Sequence, residues 1–388
     1  MKFISQIKKE TIKGKTALLL LDLNIEKSEW KNSLRLERAI RAIDFLLKKE
    51  ARVVVLSFKG RPDLKLVKNK DYRASFSLFS IAQEISKRLR TSFDFVDDFN
   101  FKNWKEKVKK SSRSLIFLEN LRFFKEEREN SLSFGKLLAS LGDFYVNDAF
   151  SVCHRQQASI TRIPKFVPAY GGMGMEIELN SLKRIFQNPL RPVTLIVGGA
   201  KVDDKMRVIE NLYPKVDSIL CGGGVANTLL FFQNLPVGSS LVEKDLSFRD
   251  FYFRFKEKIV LPVDFLWERG AIFDIGPKTI KKFSSIIDDS KTIIWSGPMG
   301  FFEKKNFAAG TKALVKKILK SKAFCVIGGE QTTSAFLKFS KTASKKISRN
   351  PFYFRKNIFL SSGGGAMLYY LSSEKLPGLV ALENSSRR

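Results

Sequence analysis

The chain has 388 residues, of which 44% are hydrophobic and 28% are charged. This length favours two domains. Because the sequence has no long apolar run and no signal-peptide core, we predict a cytoplasmic protein without a membrane span. One histidine and three widely spaced cysteines exclude a multi-histidine metal site, a zinc site and a disulfide framework, and they leave little room for a Ser-His-Asp relay. The net charge of +30 is scattered without a recognisable nucleic-acid-binding module, so we interpret it as compositional drift and expect no nucleic-acid partner.

The first half of the sequence alternates buried strands with amphipathic helices. Apolar runs and helical spacing predict strands at 16–22, 52–57, 114–118 and 143–147 and helices at 36–47, 74–89 and 132–140. Each predicted strand ends in a polar loop. Because the carboxyl ends of parallel strands meet at one edge of a sheet, we expect these loops to form a binding edge.

Arginines are the common feature of this predicted edge. The polar residues collected there are Asp22, Asn24, Arg35, Arg61, Glu119, Asn120, Arg122, Asn147, Asp148, His154 and Arg155. Guanidinium groups bind carboxylate and phosphate through two parallel hydrogen bonds, so four converging arginines favour a small polyanionic substrate. For any one of these arginines, a surface ion pair is the alternative interpretation.

The middle of the chain interrupts this alternation. Proline and glycine residues punctuate 168–174, as is typical of a linker or hinge, and a helix is predicted near 176–187. The strand pattern then resumes at 193–197, 216–220, 258–261, 291–295, 323–327 and 358–360. Several of these strands run into glycine turns, at Gly198-Gly199, Gly222-Gly-Gly224, Gly297, Gly328-Gly329 and Gly363-Gly-Gly365. Such turns at one sheet edge predict a phosphate or nucleotide platform.

The stretch Leu195–Lys205 has the outline of a phosphate site. Its glycines allow close approach of the backbone to a ligand, its helix start attracts an anion, and Lys201 and Lys205 lie on one helical face. An ordinary turn with solvated lysines is the alternative interpretation. The sequence has no P-loop, no complete dinucleotide fingerprint and no protein-kinase motif set. Chemistry built on Lys, Arg, carboxylates and backbone amides is suited to phosphoryl transfer.

The ordered series of loop motifs resembles that of the phosphoglycerate kinase family over essentially the whole chain. The matching blocks are Asp22-Leu-Asn24, Gly60-Arg-Pro62, Glu119-Asn-Leu-Arg-Phe123, Asn147-Asp-Ala-Phe150 with His154-Arg155, Gly198-Gly-Ala-Lys-Val202 with Lys205, Gly222-Gly-Gly224, Leu261-Pro-Val-Asp264, Asp274-Ile-Gly-Pro277, Trp295-Ser-Gly-Pro-Met-Gly300 with Glu303, Gly363-Gly-Gly-Ala366 and Leu376-Pro-Gly378. The resemblance implies a monomeric glycolytic phosphotransferase that interconverts 1,3-bisphosphoglycerate and ADP with 3-phosphoglycerate and ATP. Transfer would be direct and in line, with Mg²⁺ bound to the nucleotide.

The resemblance also implies an α/β fold of two doubly wound, Rossmann-like parallel-sheet domains joined by a hinge that closes for catalysis. The N-terminal phosphoglycerate-binding domain would span 1–167, and the hinge with its interdomain helix would span 168–188. The C-terminal nucleotide-binding domain would span 189–365, and a final segment, 366–388, would return to the first domain.

By motif position, the resemblance assigns roles to residues on both domains. Phosphoglycerate would contact Asp22, Leu23, Asn24, Arg35, Phe58, Arg61, Arg122 and Arg155. The nucleotide would contact Gly199, Ala200, Lys201, Lys205, Gly223, Ser296, Pro298, Glu303, Gly329, Glu330, Gln331 and Thr332. Catalysis would rest on Arg35, Lys201, Gly363 and Gly364, which would stabilise the moving phosphoryl group.

Four positions depart from the family pattern. Phe58 replaces the histidine of a Ser-His-Leu-Gly-Arg-Pro loop, Ser296 replaces an asparagine, and Gln157 ends a motif that the family ends in histidine. Glu330-Gln331 stands where the family has Gly-Asp, so the metal ligand would be Gln331 or Glu330. A neutral amide is a poor ligand for a hard cation such as Mg²⁺.

Two hypotheses therefore remain open from the sequence. The retained Arg35, Lys201, Lys205 and Glu303 favour a working phosphoglycerate kinase with an adapted metal site. The substitutions at Phe58 and Gln331 are the argument for a catalytically degenerate homologue that acts as a binding or interaction protein.

Overall fold

The computed structural model describes residues 1–340, 350–372 and 375–386. Contacts within the chain divide it into two compact units. The first unit comprises residues 1–179 together with the chain from Lys375 onward, and the second comprises the chain between them. Among the described residues, no helix is both long enough and apolar enough to cross a membrane.

The first unit is built on a parallel sheet of six strands. These are β1 (Thr16–Leu20), β2 (Arg52–Leu56), β3 (Asp94–Val96), β4 (Leu115–Leu118), β5 (Phe144–Asn147) and β6 (Ala169–Gly171). Their spatial order is β3-β4-β2-β1-β5-β6, and every neighbouring pair is parallel. The central strands are buried on both faces, which explains why they form continuous apolar runs in the sequence.

Helices connect these strands and flank the sheet. They are α1 (Lys9–Ile12), α2 (Leu34–Lys48), α3 (Lys70–Phe76), α4 (Phe79–Leu89), α5 (Trp104–Lys110), α6 (Lys125–Arg128), α7 (Leu132–Ala139), α8 (Ala158–Thr161) and the first part of α9 (Met173–Gln187). Ser33 caps α2, because its hydroxyl oxygen accepts a hydrogen bond from the Leu36 N–H over 3.3 Å. The side chains of Leu36 and Ile43 pack α2 against the hydrophobic core on one face of the sheet.

The prediction of one helix over 74–89 is wrong, since the structure has two helices there. The chain is extended at Ser77, between α3 and α4. The buried carboxylate of Glu119 accepts hydrogen bonds from the Ser77 hydroxyl over 2.7 Å and from the Leu78 N–H over 2.9 Å. A residue distant in sequence therefore stabilises the break between the two helices.

The second unit contains a seven-stranded sheet and a separate hairpin. Its strands are β7 (Val193–Val197), β8 (Ser218–Cys221), β9 (Ile259–Val260), β10 (Phe265–Glu268), β11 (Ala271–Ile275), β12 (Thr292–Ser296), β13 (Phe324–Gly328), β14 (Tyr353–Arg355) and β15 (Ile358–Ser361). The sheet order is β14-β15-β13-β12-β7-β8-β9, with only the edge strand β14 antiparallel to its neighbour in the described sheet. Strands β10 and β11 form the antiparallel hairpin.

The helices of the second unit follow these strands. They are the second part of α9, α10 (Val202–Leu212), α11 (Gly223–Phe231), α12 (Ser247–Phe255), α13 (Pro277–Asp289), α14 (Ala309–Lys320), α15 (Glu330–Phe339) and α16 (Gly364–Leu371). The alternation of parallel strands and helices in two units confirms the predicted α/β fold class.

The chain returns to the first unit after α16. The return begins at Lys375 and includes α17 (Pro377–Ser385), where the Gly378 N–H donates to the Cys153 carbonyl over 2.9 Å. Of the return segment expected at 366–388, the residues 373, 374, 387 and 388 lie outside the described part of the chain.

Candidate active site

The carboxyl end of β1 places Asp22 and Asn24 beside the start of α2. Arg35, the second residue of α2, contacts both of them. Its Nε lies 3.2 Å from Oδ2 of Asp22, and its Nη1 donates to the Asn24 carbonyl over 2.8 Å. The hydroxyl of Ser151, which follows β5, also donates to Oδ2 of Asp22. Direct contacts therefore bring together three residues that the sequence analysis assigns to phosphoglycerate.

Two asparagines hold the loop 57–62 at this edge of the sheet. Oδ1 of Asn24 accepts a hydrogen bond from the Gly60 N–H over 2.7 Å. Asn120, after β4, accepts from the Lys59 N–H over 3.2 Å and donates to the Lys59 carbonyl over 2.8 Å. Gly60 has a φ of +62°, in the left-handed region that favours glycine. The loop that carries Arg61 is therefore fixed from both sides.

Three arginines of this edge affect one another electrostatically. Burial, followed by the charge of Arg155, lowers the pKa of Arg122 to about 10. Burial, followed by the charge of Arg61, lowers the pKa of Arg155 as well. The Nε of Arg155 is buried and donates to no partner among the described residues. Converging positive charge with an unsatisfied donor is an environment that an anion would stabilise.

Leu23 and Phe58 lie beneath the site instead of facing it, with 0% and 2% of their surfaces exposed. The Leu23 N–H donates to the Ser57 hydroxyl over 3.0 Å, and its carbonyl accepts from the Ile25 N–H over 2.8 Å. The Phe58 ring packs against the guanidinium of Arg122. The side chains of these two predicted contact residues therefore support the site from the core.

Other strand-end residues also serve the scaffold. Asp148, after β5, accepts a hydrogen bond from the Met175 N–H over 2.8 Å at the start of α9, and burial raises its pKa to about 7. Oδ1 of Asn147 accepts from the Ala149 N–H over 3.0 Å. A polar residue at a strand end can therefore either bind a ligand or hold a loop in place, and its position in the sequence does not tell which.

In the second unit, three backbone segments approach closely at the carboxyl ends of β7, β8 and β12. The Gly199 N–H donates to the Pro298 carbonyl over 2.9 Å, and the Gly223 N–H donates to the Met299 carbonyl over 3.0 Å. Gly199 and Gly223 have φ values of +83° and +52°. A Cβ atom on Gly198 would overlap the Pro298 carbonyl oxygen. The glycine turns at 198–199, 222–223 and 297 therefore meet at one sheet edge, and their geometry requires glycine.

The two lysines that follow the first of these turns differ in their surroundings. Lys201 is exposed at the N-cap of α10. Lys205, one turn further, donates from Nζ to the Ser296 hydroxyl over 2.5 Å. Burial lowers the pKa of Lys205 to about 8; the charge of Asp204 opposes this shift, and the charge of Lys201 adds to it. One lysine is therefore solvated, and the other is held inside the site.

Helices α15 and α16 begin next to each other at glycine turns. Gly329, with a φ of +92°, precedes α15, and a Cβ on Gly364 would lie 3.0 Å from the Gly329 Cα. Oγ1 of Thr332 in the first turn of α15 accepts a hydrogen bond from the Gly297 N–H over 2.7 Å. Helix starts carry N–H groups that lack intrahelical partners, so two adjacent starts form an electropositive surface.

A cavity of about 440 Å³ opens beside these turns. Its lining includes six predicted nucleotide contacts, namely Gly199, Ala200, Gly223, Pro298, Glu303 and Gln331. The other predicted contacts, which are Lys201, Lys205, Ser296, Gly329, Glu330 and Thr332, do not line it. The cavity is in the size range of small-molecule sites.

The sequence analysis assigns no role to the remaining walls of the cavity. These walls are formed by 224, 226–227, 239–241, 262, 265, 271–275 and 299–301. Burial raises the pKa of Asp274 to about 6, and its carboxylate accepts from the Gly310 N–H over 2.8 Å. Four motif blocks, 222–224, 261–264, 274–277 and 295–300, mark part of this wall in the sequence, but the half-exposed hairpin of β10 and β11 has no strong apolar pattern.

The described residues contain no group of three or more His, Cys, Asp or Glu side chains that could hold a metal ion. Mg²⁺, however, is commonly bound by one or two carboxylates together with substrate phosphates. Glu330 is exposed at the start of α15, and its neighbour Gln331 lines the cavity. This pair supplies one carboxylate and one amide oxygen. Two such ligands are enough for an ion that is bound mainly by nucleotide phosphates, but they are too few for an ion held by protein ligands alone.

Comparisons with known proteins point to one family. The phosphoglycerate kinase family model matches residues 7–374. The phosphoglycerate kinase of Herpetosiphon aurantiacus is 34% identical over 96% of this chain and 97% of the relative, and that of Finegoldia magna is 35% identical over 97% and 98%.

Solved structures give the same result. The phosphoglycerate kinase of Coxiella burnetii has a TM-score of 0.78 at 31% identity, with 98% of each chain covered. That of Pyrococcus horikoshii has a TM-score of 0.82 at 28% identity, with 100% of each chain covered. Since the matches extend over both units, the chain belongs to the phosphoglycerate kinase family, a family of phosphotransferases.

Proposed function

We propose that the chain transfers a phosphoryl group between ATP and 3-phosphoglycerate through Arg35, Lys201 and the N–H groups at Gly363 and Gly364. The observation that carries this proposal is that each unit contains a group of residues suited to an anion, and that the two groups differ in design. The first is a cluster of arginines with a buried, unsatisfied N–H at Arg155. The second is a glycine platform beside a cavity of nucleotide-binding size.

The arginine cluster suits 3-phosphoglycerate, which carries a phosphate and a carboxylate. Arg61, Arg122 and Arg155 would bind the phosphate, because their mutual repulsion is offset by an anion. Asp22 and Asn24 would bind the hydroxyl at C2, with Asp22 also holding Arg35 in place through the 3.2 Å ion pair. Leu23 and Phe58 would act from beneath the site.

The cavity of the second unit suits the nucleotide. Its lining would hold the base and ribose, with Glu303 as an acceptor for ribose hydroxyls. Lys205 would bind a nucleotide phosphate in place of its present hydrogen bond to Ser296. The first turns of α15 and α16 would offer backbone N–H groups to the phosphates, with Thr332 and Gly329 fixing the turn.

The transfer itself would need no covalent intermediate. A carboxylate oxygen of 3-phosphoglycerate would attack the γ-phosphorus of ATP, the bond from phosphorus to the bridging oxygen would break, and ADP would leave with the electron pair. Arg35, Lys201 and the N–H groups at Gly363 and Gly364 would neutralise charge on the phosphoryl oxygens. Because the two substrates would bind to different units, the reaction also requires a closing motion that brings them in line and excludes water.

Glu330 or Gln331 would hold Mg²⁺ together with the nucleotide phosphates. When bound, this ion would screen phosphate charge and orient the phosphates for transfer. We further propose that the protein works as a cytoplasmic monomer on small-molecule substrates, without a membrane or nucleic-acid partner.

The experiment is a coupled assay with 1,3-bisphosphoglycerate and ADP in the presence of Mg²⁺ or Mn²⁺. Lys201→Ala is the control, because it removes the lysine proposed to neutralise the moving group. We expect turnover well above that of the control in at least one metal. Turnover no greater than that of Lys201→Ala in both metals would contradict the proposed function and favour the degenerate homologue.

A further inference from the structure

The Phe58 side chain lies directly against a guanidinium of the arginine cluster. The Cζ atom of Arg122 is 4.2 Å from the centroid of the Phe58 ring. Both residues are buried, with 2% and 7% of their surfaces exposed. Cation–π pairs within about 6 Å are attractive, and they are strongest where water is excluded. This pair meets both conditions.

The rest of Arg122 is anchored through its backbone. The Arg122 N–H donates to Oδ1 of Asn120 over 3.0 Å, and its carbonyl accepts from the Nε of Arg128 over 3.1 Å. Within the described part of the chain, the guanidinium makes one hydrogen bond, from Nη1 to the Gly60 carbonyl over 2.7 Å. Among the described residues, no carboxylate lies within ion-pair distance of it. Its other N–H groups are therefore not engaged by acceptors on the residues that the structure describes.

We propose that Phe58 is a positioning residue, whose aromatic face orients Arg122 so that the remaining N–H groups of its guanidinium point at the phosphate of 3-phosphoglycerate. This inference rests on the proposed function, because it takes Arg122 to be a substrate-binding arginine. On this proposal, position 58 still supports the site although the family's histidine is absent. The ring supplies a support in place of a hydrogen bond.

An aromatic support has a chemical advantage over an acidic one at this position. A carboxylate beside Arg122 would neutralise the guanidinium and compete with the substrate for its N–H groups. A ring face attracts the cation electrostatically but accepts none of its in-plane N–H groups. The ring therefore fixes the direction of the guanidinium while preserving its charge and its donors for an anion.

The alternative is that Phe58 only fills space in the core. The two explanations differ in what the ring electrons contribute. If Phe58 is a filler, only its volume matters. If it is a positioning residue, affinity for the phosphoglycerate should follow the electrostatic potential of the ring face at constant volume.

The first experiment replaces Phe58 by mono-, di- and trifluorinated phenylalanine, which weakens the ring face progressively with little change in size. We expect the KM for 3-phosphoglycerate to rise stepwise, by about tenfold at the trifluorinated ring, while the KM for ATP stays within about twofold of the wild type. A KM for 3-phosphoglycerate that does not change across the series would overturn the proposal.

The second experiment compares Phe58→Leu with Phe134→Leu. Phe134 is equally buried in the first unit, but no guanidinium of a described residue stacks on its ring, which packs against Phe124 instead. Both variants lose packing, so each is checked by thermal unfolding. We expect only Phe58→Leu to raise the KM for 3-phosphoglycerate, and an equal rise in both variants would show a general packing effect and overturn the proposal.

The same measurements separate this inference from the proposed function. An inactive wild-type protein would contradict the proposed function, and binding of 3-phosphoglycerate measured by calorimetry would then still test the role of Phe58. An active wild-type protein with unchanged substrate affinity in the fluorinated series would contradict only the inference.

Discussion

Lys205 donates a hydrogen bond from Nζ to the hydroxyl of Ser296, with the two atoms 2.5 Å apart. The acceptor is neutral, so it does not compensate the burial of the ammonium group. The pKa of Lys205 accordingly falls from its ordinary value of 10.5 to about 8, despite the opposing charge of Asp204. The family's asparagine at position 296 would offer an amide where this chain has the shorter hydroxyl.

We expect nucleotide binding to weaken as the pH rises through about 8. The charged Lys205 binds phosphate, and its charge is lost above a pKa of about 8, so the KM for ADP should rise about tenfold between pH 7 and pH 9. Lys205→Arg keeps its charge over this range and is the matched control. A parallel rise of KM in both proteins would exclude Lys205 as the titrating group.

Gly297 should not tolerate a side chain. Its φ is +98°, and a Cβ atom there would overlap the carbonyl oxygen of Gly198. Gly14 is the matched control. Its φ is +72°, but a Cβ atom added to Gly14 would have no atom within 4 Å, so Gly14→Ala measures the cost of the backbone conformation alone. We expect that cost to be about 1 kcal/mol for Gly14→Ala, and Gly297→Ala to cost more than about 3 kcal/mol or to prevent folding. Urea unfolding measures both, and equal losses would contradict the close approach of the two turns.

Glu127 should make the protein less stable at alkaline pH. Its carboxylate is buried and accepts hydrogen bonds from the Ser159 N–H and hydroxyl, over 2.8 Å and 2.6 Å. Burial raises its pKa from 4.5 to about 7. Between pH 4.5 and about pH 7, the folded state therefore binds more protons than the unfolded state. The contribution of Glu127 to the free energy of unfolding is fully present below pH 4.5 and is lost as the pH rises through about 7.

The pH dependence due to Glu127 is tested by urea unfolding of Glu127→Gln and the wild type at pH 5 and pH 8. The glutamine keeps the shape, and the Ser159 hydroxyl can turn to accept from its amide. We expect the variant to gain stability relative to the wild type on going from pH 5 to pH 8, on the order of 3 kcal/mol. An unchanged difference at the two pH values would show that Glu127 does not titrate there.

The double substitution Glu330→Gly with Gln331→Asp should strengthen magnesium-dependent nucleotide binding. It restores the carboxylate of the family pattern at a position that lines the cavity, and a carboxylate is a better ligand for Mg²⁺ than an amide. We expect about tenfold tighter ADP binding with Mg²⁺ and little change without it, by calorimetry. The double substitution removes one carboxylate and adds one, so Glu330→Gly with Ser334→Asp, which makes the same exchange at an exposed position of α15, is the matched control. An equal gain in the control, or no gain in Glu330→Gly with Gln331→Asp, would contradict the role of position 331.

The sequence predicted the central strands well because burial on both faces leaves an unbroken apolar run. It also predicted that Asp22, Asn24 and Arg35 would meet, since they follow one strand and begin the next helix. The strands β3, β6 and β14 were missed because they are only three residues long and lie at sheet edges.

Other features depend on contacts between residues far apart in sequence. The break between α3 and α4 is stabilised by Glu119, and no local pattern at Ser77 predicts it. The inward direction of Phe58 follows from the path of the loop that Asn120 holds. The first three residues of the strand at 271–275 are half-buried, and only the last two are buried. The sequence of this strand therefore lacks the alternation of apolar and polar residues that identifies a strand.

The most direct test of direct transfer from ATP to 3-phosphoglycerate uses ATP whose γ-phosphorus is made chiral with oxygen isotopes. A single in-line displacement inverts the configuration at phosphorus, so we expect inverted product from the wild type and background transfer from Lys201→Ala. Retention of configuration would require a phosphorylated enzyme intermediate, and it would contradict direct transfer, as would the absence of labelled product from the wild type.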